Sequence, residues 1–206
     1  MQLEIAERMR CPRAHAATPL IIVAQRTVER DLVTGVAGCM SCHLEAVVRD
    51  GDVFFPGASA ATAPASDAAP DALDRLVALL GLAEPGGAVL LTGRYAALAA
   101  AVASTVDVHV VVMNSEPVRG AGVSAVHLPE PAVPFSDNTF RAAALDHDTS
   151  MPVLLDTVRA LQVGGRLLAA LPLERPFGIR ELARDATEWV GEREAGPTGV
   201  VRITRR

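Results

Sequence analysis

Aromatic residues are almost missing from this chain. Phe, Tyr and Trp make up 3% of its 206 residues, so its core must be built from Ala, Val and Leu. Also missing is any uninterrupted apolar run of the ~18 residues that a membrane span requires. The stretch from Met1 to Arg10 is charged throughout and has no apolar segment of the secretory kind. The expectation is a cytoplasmic protein, in a compartment that keeps thiols reduced. No run of like charge reaches five residues, and the net charge is −5. That pattern describes a mixed solvated surface and argues against nucleic acid as a substrate. Cysteine is scarce too. Cys11, Cys39 and Cys42 are the only three, and so close to the start they read as metal ligands or core thiols before disulfides.

What is plentiful is small aliphatic residue. Half the chain is hydrophobic and the mean hydropathy is +0.28, enough for one medium domain with a small appendage.

Residues 1–57 suggest the appendage. Cys11-Pro-Arg-Ala-His15 and Cys39-Met-Ser-Cys42 are two knuckles separated by 23 residues, and together they offer four N/S ligands to a tetrahedral Zn²⁺. The expected ligands are Cys11, His15, Cys39 and Cys42, with His43 as the alternative to His15. Residues 19–23 and 31–34 suit short strands that bring the knuckles together, and Gly35 and Gly38 lead into the second. A segment this small has little core of its own, so a metal would supply folding energy. The plain alternative is buried cysteines and surface histidines. Cys39-Met-Ser-Cys42-His43 also fits the C-x-x-C-H haem-attachment pattern; the absence of an export signal and the scarcity of aromatics argue against haem.

The same segment resembles the small zinc-ribbon proteins that activate tRNA and rRNA methyltransferases. The resemblance rests on Cys11-Pro12, on the spaced Cys39-x-x-Cys42 and on the ending Val47-Val-Arg-Asp-Gly-Asp-Val-Phe-Phe-Pro56, an Asp-Gly turn followed by an apolar strand. The departure is His15, where a second cysteine is expected. Residues 58–70, all small or Pro with one acid, read as a linker and domain boundary.

Residues 71–206 alternate helix and strand. Apolar spacing places a helix at 71–81, with Gly81 as its stop. Strands are expected at 88–92, 106–113, 124–128, 140–145 and 166–171. Helices are expected at 94–104 and 151–161, with a turn at 163–165. Such alternation implies a parallel sheet covered by helices on both faces. Beyond it, 173–190 reads as a loop and amphipathic helix and 198–204 as one edge strand, so the sheet is expected to be shortened. An open edge would then be covered by a second copy or by the ribbon.

This domain resembles class I S-adenosylmethionine-dependent methyltransferases. Val133-Pro-Phe-Ser-Asp-Asn-Thr-Phe140 is similar to the family's Leu-Pro-Phe-x-Asp-x-x-Phe-Asp run. Val158-Arg-Ala-Leu-Gln-Val-Gly-Gly-Arg-Leu-Leu168 is similar to its Arg-x-Leu-x-Pro-Gly-Gly-x-Leu turn. The fold class expected is therefore α/β, a truncated Rossmann-like sheet plus the small zinc-ribbon-like β module. The resemblance implies S-adenosylmethionine-binding positions at Gly93, Tyr95, Asn114 and Glu130, and there the sequence departs. Gly93 matches the first glycine of the cofactor loop, but Tyr95 and Ala97 replace the next two and Leu91 replaces the preceding acid. Asn114 stands for the ribose-binding acid, Glu130 is the nearest carboxylate to the adenine position, and Arg141 replaces the aspartate of the later motif. Tyr95 could fill the vacated space or be a plain turn aromatic. Asp146-His147-Asp148 follows a strand end and offers a candidate general base, against the simpler reading of a solvated loop. The expected function is that of a non-catalytic, methyltransferase-like partner of another protein or of its own copy. The alternative is an active methyltransferase with a divergent loop.

Overall fold

The computed structural model describes residues 1–58, 71–115 and 120–196. The linker read at 58–70, apart from residue 58, and the edge strand read at 198–204 lie outside them.

Two runs with every side chain buried set the centre of the molecule: β5 (Ala88–Thr92) and β6 (His109–Met113). A strand buried on both faces needs parallel neighbours and a cover on each side. β5 pairs in parallel with β6 and with β8 (Phe140–Leu145), β6 with β7 (Val123–His127), and β8 with β9 (Leu161–Ala170). On one face Val89, Leu91, Val110, Val112, Ala142 and Ala144 pack under α2 (Ala72–Leu80) and α3 (Ala99–Val106). On the other, Leu90, Val111, Ala143 and Leu145 pack against α4 (Met151–Ala160) and the N-terminal residues. The helix expected at 94–104 begins as a 3-10 turn, Gly93–Leu98, before α3. Gly81 ends α2 in the left-handed region at φ 65. The turn expected at 163–165 is an excursion inside β9: Phe140 faces Leu161 and Ala142 faces Arg166, so residues 162–165 loop out, with Gly164 at φ 79.

The N-terminal residues form a short helix α1 (Leu3–Ala6) and two antiparallel hairpins, β1 (Ile21–Val28) with β2 (Asp31–Gly38), and β3 (Glu45–Arg49) with β4 (Asp52–Phe54). Asp50 and Gly51 make the second turn with positive φ, 51 and 83, which is the backbone that an Asp-Gly hairpin supplies. β4 then pairs in parallel with β7, Val53 against Val126 and Phe54 against His127. The Asp52 carboxylate accepts the Ala125 N–H at 2.7 Å. With the C-terminal strands β10 (Ile179–Arg184) and β11 (Glu188–Arg193), all the strands of the described residues form one sheet in the order β1-β2-β3-β4-β7-β6-β5-β8-β9-β11-β10. The N-terminal module does cover an edge, but it is the β7 edge and not the C-terminal one.

The C-terminal edge differs from expectation. Residues 179–193 form a hairpin, β10 (Ile179–Arg184) and β11 (Glu188–Arg193), in place of an amphipathic helix, and β11 lies antiparallel to β9. Asp185 is the physical reason. Its Oδ1 accepts the N–H groups of Thr187 and Glu188 at 2.7 and 2.9 Å, and such a local turn competes with helix. Trp189 then buries its ring and donates Nε1–H to the Leu173 carbonyl at 2.7 Å. Among the described residues the sheet thus ends in a hairpin.

Candidate metal centre and the carboxyl end of the sheet

The two knuckles meet. The ligand atoms of Cys11, His15, Cys39 and Cys42 all lie within 4.8 Å of one another. The Cys11 and Cys42 sulfurs are 3.6 Å apart, and the Cys39 sulfur is 3.6 Å from His15 Nε2. Tetrahedral ligands at ordinary Zn–S and Zn–N lengths stand about 3.5–3.8 Å apart; these two separations match that spacing, and the set as a whole is close enough to surround one ion. Backbone pairing brings the knuckles together. Arg10 bridges Pro19, and the Cys11 N–H donates to the Thr18 carbonyl at 2.9 Å. Cys39 N–H donates to the Leu44 carbonyl at 2.8 Å, and His43 N–H returns to the Cys39 carbonyl at 2.9 Å. His43 closes that turn with φ 55 and is not part of the four-residue set, which contains His15 instead.

The surroundings of His15 suit a ligand. Nδ1 lies 2.7 Å from the Ala16 carbonyl; donating there leaves the Nε2 lone pair toward Cys39, the outer-shell arrangement that orients ligating histidines. Thr18 Oγ1 bonds the Ala16 carbonyl at 2.8 Å and lies 3.2 Å from Ser41 Oγ, tying one knuckle to the other. Neither Thr18 nor Ser41 is marked by any sequence motif. Burial pushes the Cys11 thiol up to about 12. Burial also opposes the Cys42 thiolate, but the Leu44 backbone hydrogen bond, Cys11, Cys39 and Arg13 outweigh it and lower its pKa. Sulfurs this close do not all ionise without a cation among them, and a metal would displace their protons. The haem-pattern cysteines, Cys39 and Cys42, point into this cluster.

At the carboxyl ends of β5 and β8, where α/β sheets bind ligands, the chain meets itself. Gly93 has φ 51, and a Cβ built on it would stand 2.4 Å from Asp146 Cβ and 2.5 Å from Asp146 Oδ2. Asp146 Oδ2 accepts the Arg94 N–H at 2.7 Å, at the start of the 3-10 helix, and the Asp146 N–H donates to Thr92 Oγ1 at 3.1 Å. Gly93 is thus required by the close approach of Asp146. Burial disfavours the Asp146 carboxylate, but the Arg94 N–H, the His147 ring and the His147 N–H overcome it and lower its pKa. His147 is exposed, with Nδ1 2.9 Å from Asp146 Oδ1. That hydrogen bond and the Asp146 charge raise its pKa. Asp148 is exposed beside it.

Tyr95 is buried in the core beneath α2 and α3. Its hydroxyl donates to Glu188 Oε2 at 2.8 Å and accepts from Arg94 Nη2 at 2.9 Å, and the Arg94 guanidinium lies 4.9 Å over its ring. Burial raises the Tyr95 pKa. Arg75 of α2 holds Glu188 Oε1 at 2.9 Å through Nε and Asp185 at 2.7 Å through Nη2. The residue laid on Gly93 is therefore Asp146, while Tyr95 links the 3-10 helix after β5 to β11. Asn114, at φ 48, accepts the Leu128 N–H on Oδ1 at 2.9 Å, which locks the ends of β6 and β7 and engages the oxygen that would meet a ribose. Glu130 lies just beyond β7, half-buried, with Oε2 shielded from solvent. Arg141 corrects the sequence reading. It sits at the beginning of β8, not its end, and its Nη1 donates to the Glu84 and Gly86 carbonyls at 2.7 and 3.0 Å. It lies at the opposite end of the strand from Asp146 and Gly93.

No family model matches the chain, and no curated protein matches it. Among solved structures, it is similar to the antibiotic-resistance methyltransferase Kmr, at 15% identity, over 66% of this chain and 98% of that one, with TM-score 0.42. It is also similar to a geranyl diphosphate C-methyltransferase from Streptomyces coelicolor A3(2), solved with S-adenosyl-L-homocysteine, at 19% identity, over 47% of this chain and 41% of that one, with TM-score 0.36. The chain spans less than half the length of the latter. The fold is α/β, with central parallel strands, a terminal antiparallel hairpin and a small antiparallel module added at β7. Among the described residues no helix is long and apolar enough to cross a membrane.

Proposed function

We propose that this chain is a metal-stabilised, methyltransferase-like protein that acts by binding a protein partner and does not transfer methyl groups. The observation that carries the reading is Asp146 against Gly93. The chain's own carboxylate takes the backbone N–H and the open space that a cofactor loop reserves for its ligand. Asn114 has its side-chain oxygen engaged by Leu128. These residues do not fit S-adenosylmethionine. A thermal-shift titration with S-adenosylmethionine is expected to leave the melting temperature unchanged. A saturable rise would establish the competing reading, an active methyltransferase with a divergent loop.

Zn²⁺ is the metal that three cysteines and a histidine in tetrahedral spacing favour. Cys11, His15, Cys39 and Cys42 would hold it, and its contribution would be folding energy for the module. Elemental analysis of purified protein is expected to give about one zinc per chain, since one such cluster suffices for one ion.

The partner surface is the outward face of the module. Val23 faces Val36, Val36 faces Val47, and Val47 faces Phe54 in successive strands, making an apolar row where an antiparallel sheet usually turns polar residues to water. Val23 is 59% exposed, and Ile21 on the same strand is exposed too. The opposite edge of the sheet, β10, is guarded by Arg180, Glu181 and Arg184, a common way to prevent pairing. β1 has no charge from Ile21 to Gln25. A partner protein or a second copy fits this unguarded side.

A further inference from the structure

The Asp146 network closes the carboxyl end of the sheet, but the other end is open. Where β5, β8 and β9 begin, a cleft of about 380 Å³ lies between the C-terminus of α2 and the looped-out residues 162–165. That volume falls in the range of small-ligand sites. Two guanidinium groups line it, and each is fixed through one nitrogen. Arg141 Nη1 is held by the Glu84 and Gly86 carbonyls. Arg166 Nη1 donates to the Ala78 and Leu79 carbonyls at 3.2 Å each, in the last turn of α2. Among the described residues, neither arginine has a carboxylate partner for its remaining Nε and Nη2 donors.

An anchored guanidinium with part of its fork unused is suited to an oxyanion, because the fork matches two oxygens of one group and little ordering entropy remains to be lost. Ala142 pairs with Arg166, so the two arginines come from adjacent strands at the same level of the sheet. Glycine lines much of the remainder. Gly86 and Gly164 have φ 87 and 79, and a Cβ on either would meet nothing within 4 Å, leaving bare backbone that a ligand can approach. Glu84 is the one acidic residue in the lining, and it meets Arg141 through its carbonyl. The lining is mostly polar backbone and guanidinium, which excludes an apolar ligand. Two arginines on a chain of net charge −5 suit a small anion and not a nucleic-acid backbone.

We propose that this cleft binds a phosphate group, free or carried on a small molecule, between Arg141 and Arg166. The cleft is at the opposite end of the strands from Gly93, so the outcome of an S-adenosylmethionine titration leaves this proposal untouched.

The test is a titration of the full-length, ¹⁵N-labelled protein with inorganic phosphate at constant ionic strength, followed by amide NMR, with potassium chloride as reference and ribose 5-phosphate as a second arm. The expected result is saturable shifts confined to the glycine amides of the cleft, absent with chloride. A tighter response to ribose 5-phosphate would place the phosphate on a carrier, and an equal one would identify free phosphate. Arg141→Gln is expected to weaken binding about tenfold. Arg141→Lys should do nearly the same, because lysine keeps the charge and loses the fork. Arg166 also caps α2, so Arg141 is the residue to change first, with a circular dichroism melt to show that the variant folds. Unsaturable shifts, an equal response to chloride, or unchanged binding in a folded Arg141→Gln variant would each overturn the proposal.

Discussion

At the scale of single residues, Gly93 and His15 decide most. Gly93 is needed twice over, by φ 51 and by the Asp146 atoms 2.4–2.5 Å from where a Cβ would stand. Gly93→Ala is expected to cost about 2–4 kcal/mol, from the left-handed backbone and the overpacking together, read as a lower denaturant midpoint. Tyr95→Phe removes the hydroxyl shared by Glu188 and Arg94 and should cost about 1–2 kcal/mol in the same experiment. For the metal centre, His15→Ala should reduce the zinc content of the purified protein and His43→Ala should leave it unchanged; the reverse result would move the fourth ligand to His43. Much at this scale was legible in the sequence, because the knuckles have fixed local spacing and Gly93 stands in a recognisable turn. What was not legible are the long-range partners. Glu188 meets Tyr95 across 93 positions and Arg75 across 113, and no local pattern announces such pairs. Arg141 was misread for a related reason. Its place beside a motif said nothing about which end of β8 it occupies.

At the scale of elements, buried strands were easy to read and edge strands were not. β5, β6 and β8 are apolar runs with no competing interpretation. Residues 179–193 carry charges at spacings that also suit a helix, and only the Asp185 turn and the buried Trp189 select the hairpin. The joint between β6 and β7 holds a pH-sensitive pair. His109 on β6 is 3% exposed, with Nε2 3.1 Å from Ser124 Oγ of β7. Burial lowers its pKa to about 4, with the nearby N-terminal ammonium acting in the same direction and Asp31 against it. His127 on β7, stacked 4.6 Å from Phe54 of β4, is lowered by burial too, with Asp52 opposing. A histidine held neutral in the fold and free to protonate when unfolded stabilises fully above the unfolded value of 6.5. That contribution is lost as pH falls toward 4, and for His109 it amounts to about 3 kcal/mol. Melting temperature should therefore drop between pH 7 and pH 4.5, and His109→Asn should flatten the drop.

At the scale of the whole molecule, the module and the α/β domain share a sheet and a core. Leu32, Val48, Val53 and Phe55 belong to the same buried cluster as Val126, Leu128, Phe135 and Phe140. The sequence suggested two units either side of a linker; it contained no sign of the β4–β7 pairing, which depends on residues more than seventy positions apart. If the proposed zinc is bound, treating the full chain with a strong chelator is expected to lower the melting temperature of one cooperative transition. Two separate transitions would mean that the units unfold independently. The central proposal is that the carboxyl end of the sheet, where S-adenosylmethionine would have to bind, is filled by the chain's own Asp146 and Arg94. It is tested most directly by calorimetric titration of the zinc-loaded full chain with S-adenosylmethionine. The account predicts no saturable heat, while a binding isotherm in the micromolar range would contradict it.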